Sequence, residues 1–141
     1  EGDPARVHGE LHSAVLVAAD HDAAIEFFTA AGGLEVLFSG ELSGEEFERM
    51  MGLPAGAGFR MTFLVAPGHP PARLELMTVT GPGVDPQDLS DRPLGLRRLV
   101  FACDHPDETR ARLLKAGATR LDATTLRGPA GIEIELRPET T

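Results

Sequence analysis

Two glutamates, Glu75 and Glu135, stand in the alternating stretches LEL and IEL, and Arg98 opens a third apolar stretch. A carboxylate on a strand can take up and return a proton, and a guanidinium can hold an oxyanion. Together they suit proton transfer beside a carbonyl or carboxylate. Other chemistries find little support, because the chain has no GxSxG elbow, no HExxH pair, no phosphate-binding P-loop and no dinucleotide glycine fingerprint. The single lysine, Lys115, falls on an outer helix near its glycine stop, which disfavours Schiff-base chemistry. The single cysteine, Cys103, shares strand parity with Leu99 and Phe101 and reads as core.

Side chains alternate across a strand, so strand parity says which of these residues can meet. Ser13, Val15 and Val17 share one face, and Ala14, Leu16 and Ala18 the other. Arg73, Glu75 and Met77 oppose Leu74 and Leu76, while Glu133, Glu135 and Arg137 oppose Ile134 and Leu136. The polar faces are expected to converge in one cup, and the aliphatic faces to pack on helices. By the same parity His12 falls on the helix side.

The elements that carry these faces follow from local signals. Residues 11–19 make an apolar strand, Asp20 or Asp22 can cap a helix running to about Ala31, and Gly32-Gly33 stops it. Leu34 to Phe38 is a second strand. Ser43 followed by Glu46 has the form of a capping box, with Gly52 and Pro54 closing a short helix that could act as a lid. FRMTFLV and ARLELMTV form a wide hairpin, and the Pro-, Gly- and Asp-rich GPGVDPQDLSDRPLG is a linker. A strand over 97–103, a helix over about 106–116, a strand near 119–123 and the closing IEIELRP complete the chain. Between those last two strands there is little room for a third. His21 and His105 fall in cap loops and are expected to be exposed.

The order of elements repeats. With an offset of 85, Ser13 falls on Arg98, Asp22 on Asp107 and Phe28 on Leu113 without a gap. The expected class is α+β, with two βαβββ modules forming a curved mixed-sheet cup and the second module shortened. The expected organisation is a loose tail over 1–9 and one domain over 10–141, with module one at about 10–80, the linker at about 81–94 and module two at about 95–138. At 141 residues and 42% apolar composition the chain can bury a single core. A formal charge of -9 disfavours nucleic acid and anionic membranes as partners. No apolar run has membrane-spanning length, and the opening residues lack the features of a signal peptide, so a cytoplasmic location is expected.

Four stretches in order, LHSAVLVAADHDAAIEFF, SGEEFERMMGLPAGAGFRMTFLVAPG with LELM, RPLGLRRLVFACDHPDETRARLLKAG, and GPAGIEIEL, resemble the vicinal oxygen chelate superfamily of glyoxalases, epimerases, resistance proteins and extradiol dioxygenases. The resemblance spans about residues 10–137. It implies a cup with a four-ligand metal site, one ligand near the start of each module and one on its last strand. Carried onto this chain, those positions are Ser13, Glu75, Arg98 and Glu135, so two histidines of the usual set are replaced. Arginine is never deprotonated in proteins, and serine is a poor ligand for the transition metals. A His12, Glu75 and Glu135 site would need a strand bulge to turn His12 inward. A tail site from His8 and His12 lacks further ligands.

The alternative is that Arg98 replaces the metal as a tethered cation between the two glutamates. On that reading Glu135 or Glu75 acts as base and Arg98 as electrostatic partner, in a metal-independent isomerase, epimerase or lyase that uses no cofactor. A structural salt bridge in a dead site is the plain alternative. Ser13, Arg73, Met61, Met77 and Arg137 are the candidate substrate-binding residues. Arg60 and Arg127 could hold an anion or be merely solvated or paired. The methionines Met50, Met51, Met61 and Met77 could line an adaptable pocket or be core. The second function class is a binding or sequestering protein, which the lack of Trp and Tyr makes a poor fit for flat aromatic drugs, with Phe59 and Phe63 as the exceptions. A metal-dependent enzyme using His12 is the third. A small-molecule ligand or substrate is the expected partner, and the resemblance implies a homodimer.

Overall fold

The computed structural model describes residues 12–84 and 96–139. Within them lie two four-stranded sheets with the same plan. In the first, β1 (Ser13–Val17), β2 (Glu35–Ser43), β3 (Gly58–Ala66) and β4 (His69–Thr80) take the order β1-β4-β3-β2. In the second, β5 (Arg98–Cys103), β6 (Thr119–Arg120), β7 (Thr125–Arg127) and β8 (Glu133–Pro138) take the order β5-β8-β7-β6. The opening strand of each module runs parallel to its last strand and the remaining pairs are antiparallel. Each opening strand is therefore an edge, and β1 and β5 are not hydrogen-bonded to each other. The expected α+β class with two βαβββ modules is met, each module supplying its own four-stranded mixed sheet.

Local chemistry sets the ends of the helices. Asp20 caps α1 (His21–Glu26) by accepting from the Ala23 N–H at 3.0 Å. The helix then widens into a π-helical turn, Phe27–Ala31, ending at Gly32. The Ser43–Glu46 capping box does not form. Ser43 is held in β2 opposite Gly58, and Gly44 at φ 115° starts α2 (Glu45–Met51) with no side-chain cap. Pro106 begins α3 (Pro106–Lys115) in the first turn, where a missing N–H costs nothing.

One apolar cluster joins both modules. It takes Leu16, Leu64, Leu74 and Leu76 from the helix face of the first sheet, Phe27, Phe28 and Ala31 from the π-helical turn, and Leu113, Leu126, Ile134 and Leu136 from the second module. Phe28 sits edge-on to Phe27 and 6.5 Å from Phe101, so this turn carries the contact between modules. The second module does contain a third strand after its helix, against the sequence expectation. Thr125–Arg127 is only three residues long, too short to show a periodicity, yet it pairs with both β6 and β8. The tail over 1–9 and most of the linker over 81–94 lie outside the described residues. No helix among the described residues is long and apolar enough to cross a membrane.

Candidate functional site

On the second sheet the face away from the core carries a ladder of charges. Register pairs Arg98 with Glu133, Val100 with Glu135 and Ala102 with Arg137, and Arg127 lies opposite Glu133 on the other side. Arg98 donates from Nε and Nη2 to Glu133 Oε2 at 3.0 and 2.9 Å, and from Nη1 to Glu135 Oε2 at 3.2 Å. The other oxygen of Glu135 accepts from Arg137 Nε at 2.7 Å. Glu135 is thus held between two guanidiniums. The hydrogen bond from Arg137, followed by the weaker one from Arg98, keeps its carboxyl below the usual range. A carboxylate so engaged is a poor base. Its physical role is to fix two arginines side by side.

Arg98 has five N–H donors, of which three go to these glutamates. Two remain, on a side chain that is 47% exposed, and Arg137 is 62% exposed with its terminal nitrogens unassigned among the described residues. This face can hold an incoming anion. Glu133, which sequence reasoning did not single out as a site residue, is the closest partner of Arg98. The signal was present in its shared parity with Glu135, but only the register of β5 on β8 shows that it lies directly opposite Arg98.

The first sheet presents a different face. Val15, Glu75, Phe63 and Phe38 lie in one row across its four strands, and Val17, Met77, Met61 and Gly40 in the next. Glu75 is only 9% exposed, while Val15 is 44% exposed. No described ion pair reaches Glu75. Arg73, opposite Ser13, lies 5.8 Å above the Phe63 ring, and its Nε is buried without a partner among the described residues.

Among the described residues no ion pair links Arg98 to Glu75, and no three His, Cys, Asp or Glu side chains come together as a metal site. His12 is exposed and precedes β1 rather than turning into the face. The metal that the sequence resemblance implies does not fit the donors present here, because Arg98 is a guanidinium and the oxygens of Glu135 are taken by Arg98 and Arg137.

Several other residues fall elsewhere than expected. His21 is buried rather than exposed, because the first turn of α1 lies against β3 and β4. Its ring bridges Thr78 at Nδ1 and Thr62 at Nε2, both at 2.9 Å. Thr78 donates its own proton to the Ala18 carbonyl, so it accepts from Nδ1–H, and Nε2 accepts from Thr62. Burial first, and Arg60 second, hold this imidazole below its ordinary pKa and therefore neutral. Arg60 shares the helix face with Thr62 and pairs with Asp22 at 2.6 Å, away from the candidate site. Met50 and Met51 are exposed on α2 rather than core, Met50 lining an open surface hollow with Phe47, and Phe59 is buried under Phe47. Cys103 packs against the core, and burial pushes its thiol up, away from reactivity.

No protein-family model and no curated protein matches this sequence. Solved structures do. A glyoxalase family protein from Bacillus cereus is 24% identical with a TM-score of 0.78, over 96% of this chain and 97% of that one. The trypanothione-dependent glyoxalase I of Leishmania major is 18% identical with a TM-score of 0.63, over 93% of this chain and 87% of that one. A genomically encoded fosfomycin resistance protein from Listeria monocytogenes is 17% identical with a TM-score of 0.58, over 96% and 94%. The chain has the α+β fold of these glyoxalase-like structures, with two βαβββ modules.

Proposed function

We propose that this protein is a metal-independent enzyme of the isomerase, epimerase or lyase type, acting on a small substrate that bears a carbonyl or carboxylate. Glu75 is the base, Arg98 holds the developing oxyanion, and Glu135 positions Arg98 and Arg137. The observation that carries this reading is the contrast between the two glutamates. Both oxygens of Glu135 accept from arginine, whereas no described ion pair reaches the largely buried Glu75. A base needs a free lone pair directed at its substrate, and a cation beside the new negative charge lowers the barrier. Arg98 spends its described ion pairs on Glu133 and Glu135 and none on Glu75, and we place the working site in a cup between two copies, the first sheet of one facing the second sheet of the other. The unpaired edges of β1 and β5 support such a homodimer.

The test is exchange of the proton next to a substrate carbonyl or carboxylate in deuterated water, across a panel of small oxyacids. Exchange should persist with a chelator, stop in Glu75→Gln, and weaken through binding in Arg98→Ala. Loss of exchange with chelator and its return with a transition metal would refute the reading. Phe38 and Phe63, 6.1 Å apart on the open face, favour a second reading as a metal-free binding protein. It requires a ligand that raises Tm and is recovered unchanged.

A further inference from the structure

We propose that the ligand of this cup is a small monocarboxylate with an apolar body, an inference that rests on the two-copy cup and on the role of Arg98 given above. The two faces have opposite characters. On the second sheet three arginines, Arg98, Arg127 and Arg137, stand against two glutamates, Glu133 and Glu135, which leaves one positive charge in excess on that face. Glu75 of the facing sheet balances that excess, which leaves no surplus among these groups to hold a dianion. The net charge of the chain, -9, disfavours a dianion further, since long-range repulsion grows with the charge of the ligand. The two N–H groups left on Arg98 suit the paired oxygens of a carboxylate.

The first sheet supplies the apolar half. Two successive rows on its open face carry Val15, Phe63, Phe38, Val17, Met77 and Met61, with Glu75 as their one charge. A ligand anchored by its carboxylate at the arginines would lay its hydrocarbon against these side chains, with the carbon next to the carboxylate near Glu75. Methionines line the row next to that glutamate, and their unbranched thioethers adapt to different chain shapes. Direct packing of the second copy's side chains onto this face, which would close the cup to a ligand, is the competing occupant, and the test separates the two.

The probe is a series of acetate, butyrate, hexanoate and octanoate, titrated calorimetrically into the intact protein, with octanol as the uncharged control. Affinity should rise about fourfold for each methylene buried, and octanol should bind far more weakly than octanoate. Val15→Thr, an isosteric change at an exposed position, should flatten the rise while leaving acetate binding in place. Arg98→Ala should weaken every acid. If all four acids bind equally and depend on Arg98, the apolar wall is refuted and the role of Arg98 stands. If octanol matches octanoate, or no acid binds, the role of Arg98 itself fails. If Val15→Thr shifts the dimer mass in sedimentation and leaves the chain-length dependence intact, Val15 packs directly on the second copy, and the apolar wall is refuted while the two-copy cup stands.

Discussion

Thr62→Val tests the network that ties α1 to the first sheet. Thr62 is fully buried, its Oγ1 lies 2.9 Å from both His21 Nε2 and Ser39 Oγ, and valine has nearly its shape. The substitution leaves the packing and removes the donor to Nε2. Ser39 is exposed and turns to water, so the loss falls on one orphaned buried acceptor. That costs about 2 kcal/mol, a fall in Tm of roughly 4–8 °C for a chain of this size. Chemical denaturation of Thr62→Val, Ser39→Ala and the double variant Thr62→Val with His21→Leu measures it. Ser39→Ala should cost little. The double variant should be more stable than the sum of its parts, because replacing both partners by apolar groups leaves nothing unsatisfied. A Thr62→Val protein within about 0.5 kcal/mol of the parent, or strict additivity, would refute the reasoning.

The same histidine predicts an acid-sensitive fold. Its pKa is lower folded than its ordinary 6.5, so the unfolded chain binds the extra proton first. Stability from this group is complete above about pH 6.5 and declines as pH falls through the folded value, and His21→Leu should flatten the profile of denaturation midpoint against pH in that window. Phe28→Ala removes a ring that is 2% exposed and touches both modules, and should cost about 3–5 kcal/mol in denaturant titrations. Glu135→Gln should weaken acetate binding by releasing Arg98 and Arg137 from their shared anchor, with little change in Tm because both arginines are solvent-exposed. Unchanged acetate affinity would show that Glu135 does not position them.

Much of the fold was legible because the repeat is carried by periodicity. Strand parity placed Glu75 with Arg73 and Met77, and Glu135 with Glu133 and Arg137, and the observed register keeps both sets. Asp20 as a cap and the aromatic pair Phe27–Phe28 as core were readable from local pattern alone. The strand Thr125–Arg127 was not, since three residues have no period to detect. Neither was burial of His21, whose partners Thr62 and Thr78 are far along the chain. The unformed capping box has a similar cause. Ser43 has the right neighbour at Glu46, but pairing with Gly58 across the sheet wins its backbone.

The sequence by itself determined the kinds of chemistry open to this protein and which residues share a face, because both depend on residue type and on the alternation of a strand. The tertiary structure decided who pairs with whom. The register of β5 on β8 gave Arg98 two glutamates of its own sheet and clamped Glu135 between two guanidiniums, leaving Glu75 on a separate, apolar face. Which of two glutamates remains free to move a proton is a matter of distances between strands, and no reading along the chain contains those distances.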